Sequence, residues 1–454
     1  MTDSPFKAYD IRGRVGDNLD EDLAYRLGRA VADQLKPAHV VTGRDIRESS
    51  APLQAALMRG LSEGGVAVSD IGLCGTEEVY FATDHLGAGA GIMVTASHNP
   101  IDYNGMKLVG PGARPLDDAT FRALEQATLT SEFGPKATNA GSVQQTDTRP
   151  AFVEHVTSLI DVAALPSVHL VANPGNGCAG PTFDAILEAL IAKGADIQVT
   201  RLHHDPDSSF PNGIPNPLLP ENQPVTADAV RAAGADLGLA WDGDFDRCFF
   251  FDADGAFVPG EYMVGVIAAA MLARVPEAAI VHDPRVIWNT QAVVGQKGGT
   301  AVISRTGHAL VKAAMRKADA VYGGEMSAHH YFRDFMFCDS GMIPWMMVLV
   351  AMGQAGTGLG DLVSDMRADF PSSGEINFRV EGAKALAAAI EAELAPEAVA
   401  VDHFDGLSMD FGTWRFNLRM SSTEPLLRLN VETRGDTDLL TEKLAEIQAR
   451  IERG

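Results

Sequence analysis

The spacing of apolar residues along this chain switches between two patterns, and each switch marks an element. Short apolar runs bounded by turn residues predict buried strands: HVVTGRD, GVAVSDIG, GIMVTASHNP, SVHLVANPGNG, LGLAWDGDFDRCFFF, AAIVHDPRV and AVYGGEMSAHHYF. Helical stretches lie between them, the first ending at Arg59. Strands that alternate with helices predict α/β domains with mixed, mostly parallel sheets, whose functional loops lie at strand C-termini. From INFRV onward the pattern changes. Helices over 384–394 and 439–451 bracket the strands SMDFG, WRFNLRM and LLRLNVE, which predicts a smaller α+β domain.

The strands also carry a weak internal repeat. Three times an apolar strand ends in a polar glycine or proline loop (TGRD, ANPGNG, HDPRV), and a second such strand follows (TASHNP, DGDFDR, GEMSAHH). Three related α/β domains, each offering a loop to a shared centre, account for it. Turn-rich breaks near residue 148, at Asp252 to Gly255 and at PSSGE predict domains over 1–148, 149–251, 252–370 and 371–454.

A length of 454 residues with 46% hydrophobic content suits several cores in one globular protein. The longest apolar runs, MVGVIAAAMLA and MIPWMMVLVAM, are too short to span a bilayer, and MTDSPFKAYD lacks the pattern of a secretion signal, so no membrane partner is expected. Cys74, Cys178, Cys248 and Cys338 show no paired spacing, which suits a reducing cytoplasm better than a disulfide framework or a zinc site. A formal net charge of −24 repels nucleic acid. It leaves room for a small anionic ligand, provided that arginine and lysine gather at a few loops.

They do gather. KAYDIRG brings Lys7, Tyr9 and Arg12, YNGMK places Lys107 soon after Ser97, and RMSSTEPLLR sets Arg419 and Arg428 around a hydroxyl-rich turn of Ser421, Ser422 and Thr423 that can wrap a phosphate. Ser97 itself follows a buried strand and precedes His98, Asn99 and Pro100, whose turn chemistry delivers the serine to the sheet's edge. In DGDFDR, Asp242, Asp244 and Asp246 recur at period two, so that an extended loop would point all three carboxylates the same way and form a site for a hard cation. Magnesium is favoured over calcium, because Arg247 and Ala253 stand where a calcium-binding EF-hand needs glycine and glutamate. In GEMSAHH, Glu325, Ser327 and His329 alternate and match adjacent hydroxyls of a sugar ring. GNGCAG fits a dinucleotide-binding pattern, but no acidic residue closes the next strand, and a tight strand-to-helix turn is explanation enough.

In order along the chain, YDIRG, TASHNP with YNGMK, DGDFDR, RTGHALVK, GEMSAHH and SSTEPLLR resemble the α-D-phosphohexomutase family, in particular its bacterial phosphomannomutase/phosphoglucomutase branch. The resemblance implies three similar mixed-sheet α/β domains plus a smaller C-terminal α+β domain around a central cleft. It implies that Ser97 carries a phosphoryl group and, with Asp242, Asp244 and Asp246, binds Mg²⁺. His98 shapes the loop, and Arg247, Arg12 and Lys107 lie near the reacting end. Lys107, Arg12, His308 and His329 are all candidates to move the proton.

The implied reaction converts hexose 1-phosphate to hexose 6-phosphate through a hexose 1,6-bisphosphate that turns end for end and also activates the enzyme. Arg419, Ser421, Ser422, Thr423 and Arg428 would hold the non-reacting phosphate. Tyr9, Arg285, Thr306, Gly307, His308, Glu325, Ser327 and His329 would contact the rest of the substrate. Relatives in this branch often have asparagine where Ser422 stands and lysine where Arg285 stands; GEM rather than GEQ leans toward mannose and glucose over glucosamine. Phosphoglucosamine mutase is the alternative enzyme, and a non-catalytic sugar-phosphate sensor the alternative outside catalysis. The expected protein is a cytoplasmic monomer or homodimer.

Overall fold

The structure, a computed structural model, describes residues 4–420 and 426–453. Contacts divide the chain into two units, 1–257 with 331–354, and 258–330 with 355–454. The first unit opens with a six-stranded sheet. Its parallel strands Ala67–Leu73, His39–Arg44 and Ala90–Val94 lie side by side in that order, and Tyr103–Val109 adds antiparallel to the last. All five residues of Ala90–Val94 are buried, as a central strand covered on both faces requires. Ile11–Arg14 pairs antiparallel with Tyr103–Val109, so that KAYDIRG and YNGMK, which lacked a strand signal of their own, form the edge beside the serine loop.

The same plan recurs. In the second sheet Ile197–Arg201, Val168–Asn173 and Leu237–Trp241 are parallel and Cys248–Phe251 returns antiparallel. The third runs Thr300–Ile303, Ala279–His282, Tyr322–Gly324, His330–Phe332 and Cys338–Asp339. Numbered within each repeat, the strand order is second, first, third, fourth in all three sheets. The repeat seen in the sequence is therefore a repeat of topology. Its first loops follow the first strand of each sheet, and TASHNP, DGDFDR and GEMSAHH follow the third.

The second unit also contains an antiparallel sheet, in the order Ile376–Arg379, Leu426–Thr433, Trp414–Met420, Leu407–Asp410 and Ala400–Asp402. Helices Ala383–Leu394 and Thr437–Arg453 contribute Ile390, Leu394, Ile447 and Ile451 to its core, against Leu407, Phe416, Leu427 and Val431. Burial of each such aliphatic side chain contributes about 1.5–3 kcal/mol. MVGVIAAAMLA and MIPWMMVLVAM lie in helices Gly260–Arg274 and Ile343–Ala355, most of whose side chains are core. No single helix among the described residues is long and apolar enough to cross a membrane.

Candidate active site

Ser97 follows the strand Ala90–Val94 and sits in the left-handed region, with φ +51°. Three contacts hold it in this uncommon conformation. Its amide donates to Thr95 Oγ1 at 2.9 Å. Its hydroxyl donates to Asp242 Oδ2 at 2.7 Å. Its carbonyl accepts from the buried Arg47, whose guanidinium also grips the carbonyls of Asn99, Pro100 and Tyr103. Asp45 in turn accepts from the Arg47 amide at 3.0 Å, so the loop after the first strand clamps the loop after the third.

The aspartates converge by a route different from the one expected. The segment 242–247 is a turn, not an extended loop, and Phe245 has φ +45°. A tight turn gathers alternate carboxylates as well as a strand does, because it folds back within a few residues. One ligand oxygen from each of Asp242, Asp244 and Asp246 lies within 4.8 Å of the other two, and all three residues are buried. The turn can approach Ser97 because residue 243 is glycine: a Cβ there would stand 2.7 Å from the Ser97 carbonyl oxygen.

Cations surround the acids. Arg247 donates to Asp242 Oδ2 from Nε at 2.9 Å and from Nη2 at 2.6 Å, and it also contacts His98 Nδ1. Lys107 Nζ lies 2.6 Å from Asp244 Oδ2 and 2.5 Å from Asp246 Oδ2. Burial opposes its charge, but these two carboxylates outweigh that and raise the ammonium above the usual lysine value. Burial raises Asp242, against the pull of Arg247 and with the push of Asp246 and Asp244. Withdrawal from water, then Arg247 and Arg12, holds the His98 imidazole well below its usual value, so it enters as a neutral ring 3.1 Å from Ser97 Oγ. Arg12 is anchored by Asp10 and donates to Asn99 Oδ1 at 2.6 Å.

The site fits a hard divalent cation. Asp242 Oδ1 and Asp244 Oδ1 are buried with no hydrogen-bond donor among the described residues, in an all-oxygen set next to a serine hydroxyl.

In the second unit the expected sugar residues come together. Glu325 Oε1 accepts from the Gly307 amide at 2.9 Å, His329 Nδ1 lies 3.7 Å from Glu325 Oε2, and Ser327 Oγ lies 3.1 Å from the same Nδ1. Asp283 Oδ2 accepts from Met326 N at 2.8 Å and from Arg285 Nη2 at 2.8 Å, repeating the clamp between first and third loops that Asp45 and Arg47 make in the first unit. Thr306 donates through N and Oγ1 to Asp405 Oδ2 at 2.9 and 2.6 Å, and His308 begins the helix His308–Ala318. Arg419 and Arg428 lie opposite each other on neighbouring strands. Tyr9 belongs to the first unit and is 43% exposed. Ser421, Ser422 and Thr423 lie outside the described residues.

Sequence reading missed four residues. Arg47 and Asp405 sit in turns whose partners are 50 and 99 positions away, too far for any local pattern. Thr76, whose hydroxyl donates to Asp244 Oδ2 at 2.6 Å, starts a helix at GTEE and carried only a helix signal. Glu375 lies in PSSGE, which reads as a linker.

Comparison with known proteins agrees with this architecture. Descriptions of phosphoglucomutase/phosphomannomutase alpha/beta/alpha domains I, II and III match residues 3–134, 150–255 and 259–370, and that of the C-terminal domain matches 375–451. A phosphomannomutase of Salmonella montevideo is 55% identical, covering 97% of both chains, and one of Escherichia coli K12 is 53% identical, covering 96% of both. A solved phosphoglucomutase/phosphomannomutase family protein from Burkholderia thailandensis superposes with a TM-score of 0.88 at 30% identity, covering 100% of this chain and 98% of that one. With all four domains matched in order and relatives similar from end to end, the chain belongs to the phosphoglucomutase/phosphomannomutase family.

Proposed function

We propose that this enzyme interconverts hexose 1-phosphate and hexose 6-phosphate, with mannose or glucose as the sugar, through a phosphoserine at Ser97. The observation that carries the reading is the Ser97 hydroxyl, 2.7 Å from one of three clustered carboxylates, which Lys107 and Arg247 pair with while Arg12 holds Asn99 of the serine loop. Relatives named phosphomannomutase at 55% and 53% identity support the choice of sugar phosphate.

In the first transfer the bond between phosphorus and Ser97 Oγ breaks and one to the free sugar hydroxyl forms. The hydroxyl proton passes to a base, for which His308 and His329 are the candidates; Lys107 and Arg12, whose protons, despite burial, the neighbouring carboxylates hold, neutralise charge instead. The second transfer returns the other phosphate of the bisphosphate to Ser97. Phosphoryl transfer asks mainly for positioning and charge neutralisation. Arg47 orients Ser97 through its carbonyl, and Arg247 holds Asp242 in place. Asp242, Asp244 and Asp246 would hold Mg²⁺, which when bound neutralises charge on the transferring oxygens. In the second unit Glu325, Ser327 and His329 would read ring hydroxyls, while Arg285, Arg419 and Arg428 would hold the non-reacting phosphate. Its small-molecule partner is thus a sugar phosphate, and the four buried free cysteines suit the cytoplasm.

Intact mass before and after excess hexose 1-phosphate tests the reading. One phosphate adduct is expected, lost to the sugar as bisphosphate and absent in Ser97→Ala. Turnover of the mannose, glucose and glucosamine phosphates then ranks the substrates. Preference for glucosamine phosphate would replace the assignment with the alternative mutase. A protein that is never phosphorylated and turns over none of the three would point to a sensor.

A further inference from the structure

Arg419 and Arg428 are direct cross-strand partners between Trp414–Met420 and Leu426–Thr433. Like charges placed directly opposite on a sheet repel, so the pair needs an anion. Glu375, one residue before the neighbouring strand Ile376–Arg379, is an anion that reaches both arginines, with Asp405 a further carboxylate acting on Arg419. Its Oε1 lies 3.4 Å from Arg428 Nη1, and its Oε2 lies 3.1 Å from Arg285 Nη1 and 4.0 Å from Arg419 Nη2. Three guanidinium groups from three segments thus meet on one carboxylate.

Arg285 also pairs with Asp283 at 2.8 Å, yet the guanidinium donors are not all satisfied. Arg419 Nε and the Nε of the 3% exposed Arg285 are buried without an acceptor among the described residues. Burial, then the neighbouring Arg285, draws Arg419 below the usual arginine value. The cluster has guanidinium donors left for a further anion, and Glu375, 18% exposed, sits where it would share them with that anion.

We propose that Glu375 is an internal counter-anion that weakens the grip of Arg285, Arg419 and Arg428 on a phosphate monoester, so that the sugar phosphate can let go of this seat and return to it by its other end. This rests on the reading above, in which these arginines hold the non-reacting phosphate. A seat built of arginines alone would bind that phosphate in every state equally, which lowers KM without raising kcat. A resident carboxylate keeps the arginines together while making occupancy reversible.

The test is titration calorimetry with inorganic phosphate on the whole protein, paired with steady-state kinetics. Removing a like charge at this distance in a partly exposed site should tighten phosphate binding by roughly five- to tenfold. Glu375→Gln is therefore expected to bind phosphate tighter by that factor and to lower both KM and kcat for hexose 1-phosphate. The gain should vanish in Glu375→Gln with Arg419→Ala, which locates it to this cluster. Glu375→Ala gives the same reading should the glutamine variant be unstable. Unchanged or weaker phosphate binding, with or without a lower unfolding temperature, would mark Glu375 as a scaffold and overturn the proposal. The calorimetry needs no turnover, so a protein inactive on every hexose phosphate would sink the functional reading and leave this measurement standing.

Discussion

Arg47 Nη2 donates to the main-chain oxygen of Ser97 at 2.9 Å, and through this bond a side chain 50 residues away holds the backbone of the serine loop. The same fork takes the carbonyls of Asn99 at 2.6 Å, Pro100 at 2.8 Å and Tyr103 at 3.1 Å. Lysine keeps the charge but lacks the planar fork, and it cannot reach all four acceptors. Arg47→Lys should lower stability by about 1–3 kcal/mol and leave carbonyls unpaired. Its kcat should fall much more than its KM rises, and intact mass should show less phosphoserine; an unchanged kcat would remove Arg47 from the positioning of Ser97.

Glu77 is buried, and its Oε1 accepts from the amides of Gly341 and Met342 at 3.1 and 3.0 Å. Burial, outweighing these hydrogen bonds, pushes its carboxyl well above the usual glutamate value. A proton is therefore held more tightly in the folded state, and the associated stability is present at low pH and lost as pH rises through the raised value. Glu77→Gln keeps the accepting oxygen and has no proton to lose. Urea unfolding across pH 4.5–8 should show the variant gaining on the parent protein as pH rises. A constant difference would refute the shift.

Gly341 packs beneath the aspartate turn. A Cβ there would lie 2.3 Å from the Phe245 carbonyl oxygen and 3.1 Å from that of Arg247, and backbone cannot swing aside as a side chain can. Gly341→Ala should destabilise the protein by about 1–3 kcal/mol, as overpacking does. Because the displaced atoms belong to the turn that gathers Asp242, Asp244 and Asp246, Mg²⁺ should also bind more weakly. A calorimetric titration that finds the same Mg²⁺ affinity would show that the turn absorbs the methyl group elsewhere.

The three aspartates should make unfolding sensitive to a divalent cation. Mg²⁺ at a hundred times its dissociation constant adds about 2.7 kcal/mol of stability, and EDTA should remove it. Asp244→Asn should abolish both this increment and turnover. Lys107→Met frees oxygens on Asp244 and Asp246 that the ammonium now engages, so it should bind Mg²⁺ more tightly while turning over more slowly. An Mg²⁺-independent unfolding temperature in the parent protein would refute the metal site.

Much of the scaffold was legible from the chain. The strand and helix order, the threefold repeat and the loops that carry Ser97, the aspartates and Glu325 all follow from apolar spacing and turn residues, which act over a few positions. Other features were not. The aspartates meet through a left-handed Phe245 instead of an extended spacing, and Ile11–Arg14 becomes a strand only because Tyr103–Val109 offers it an edge.

The sequence by itself determined which chemical groups each loop would carry and at which point of the repeated topology, because side-chain alternation and turn geometry are local properties of a polypeptide. Tertiary structure alone decided which charge faces which. Arg47 grips the serine loop, Glu77 caps a segment 264 residues away, and Glu375 settles among three arginines. Electrostatic and hydrogen-bond energies depend on ångström distances and on exclusion of water, and both arise only when segments far apart in the chain are packed together.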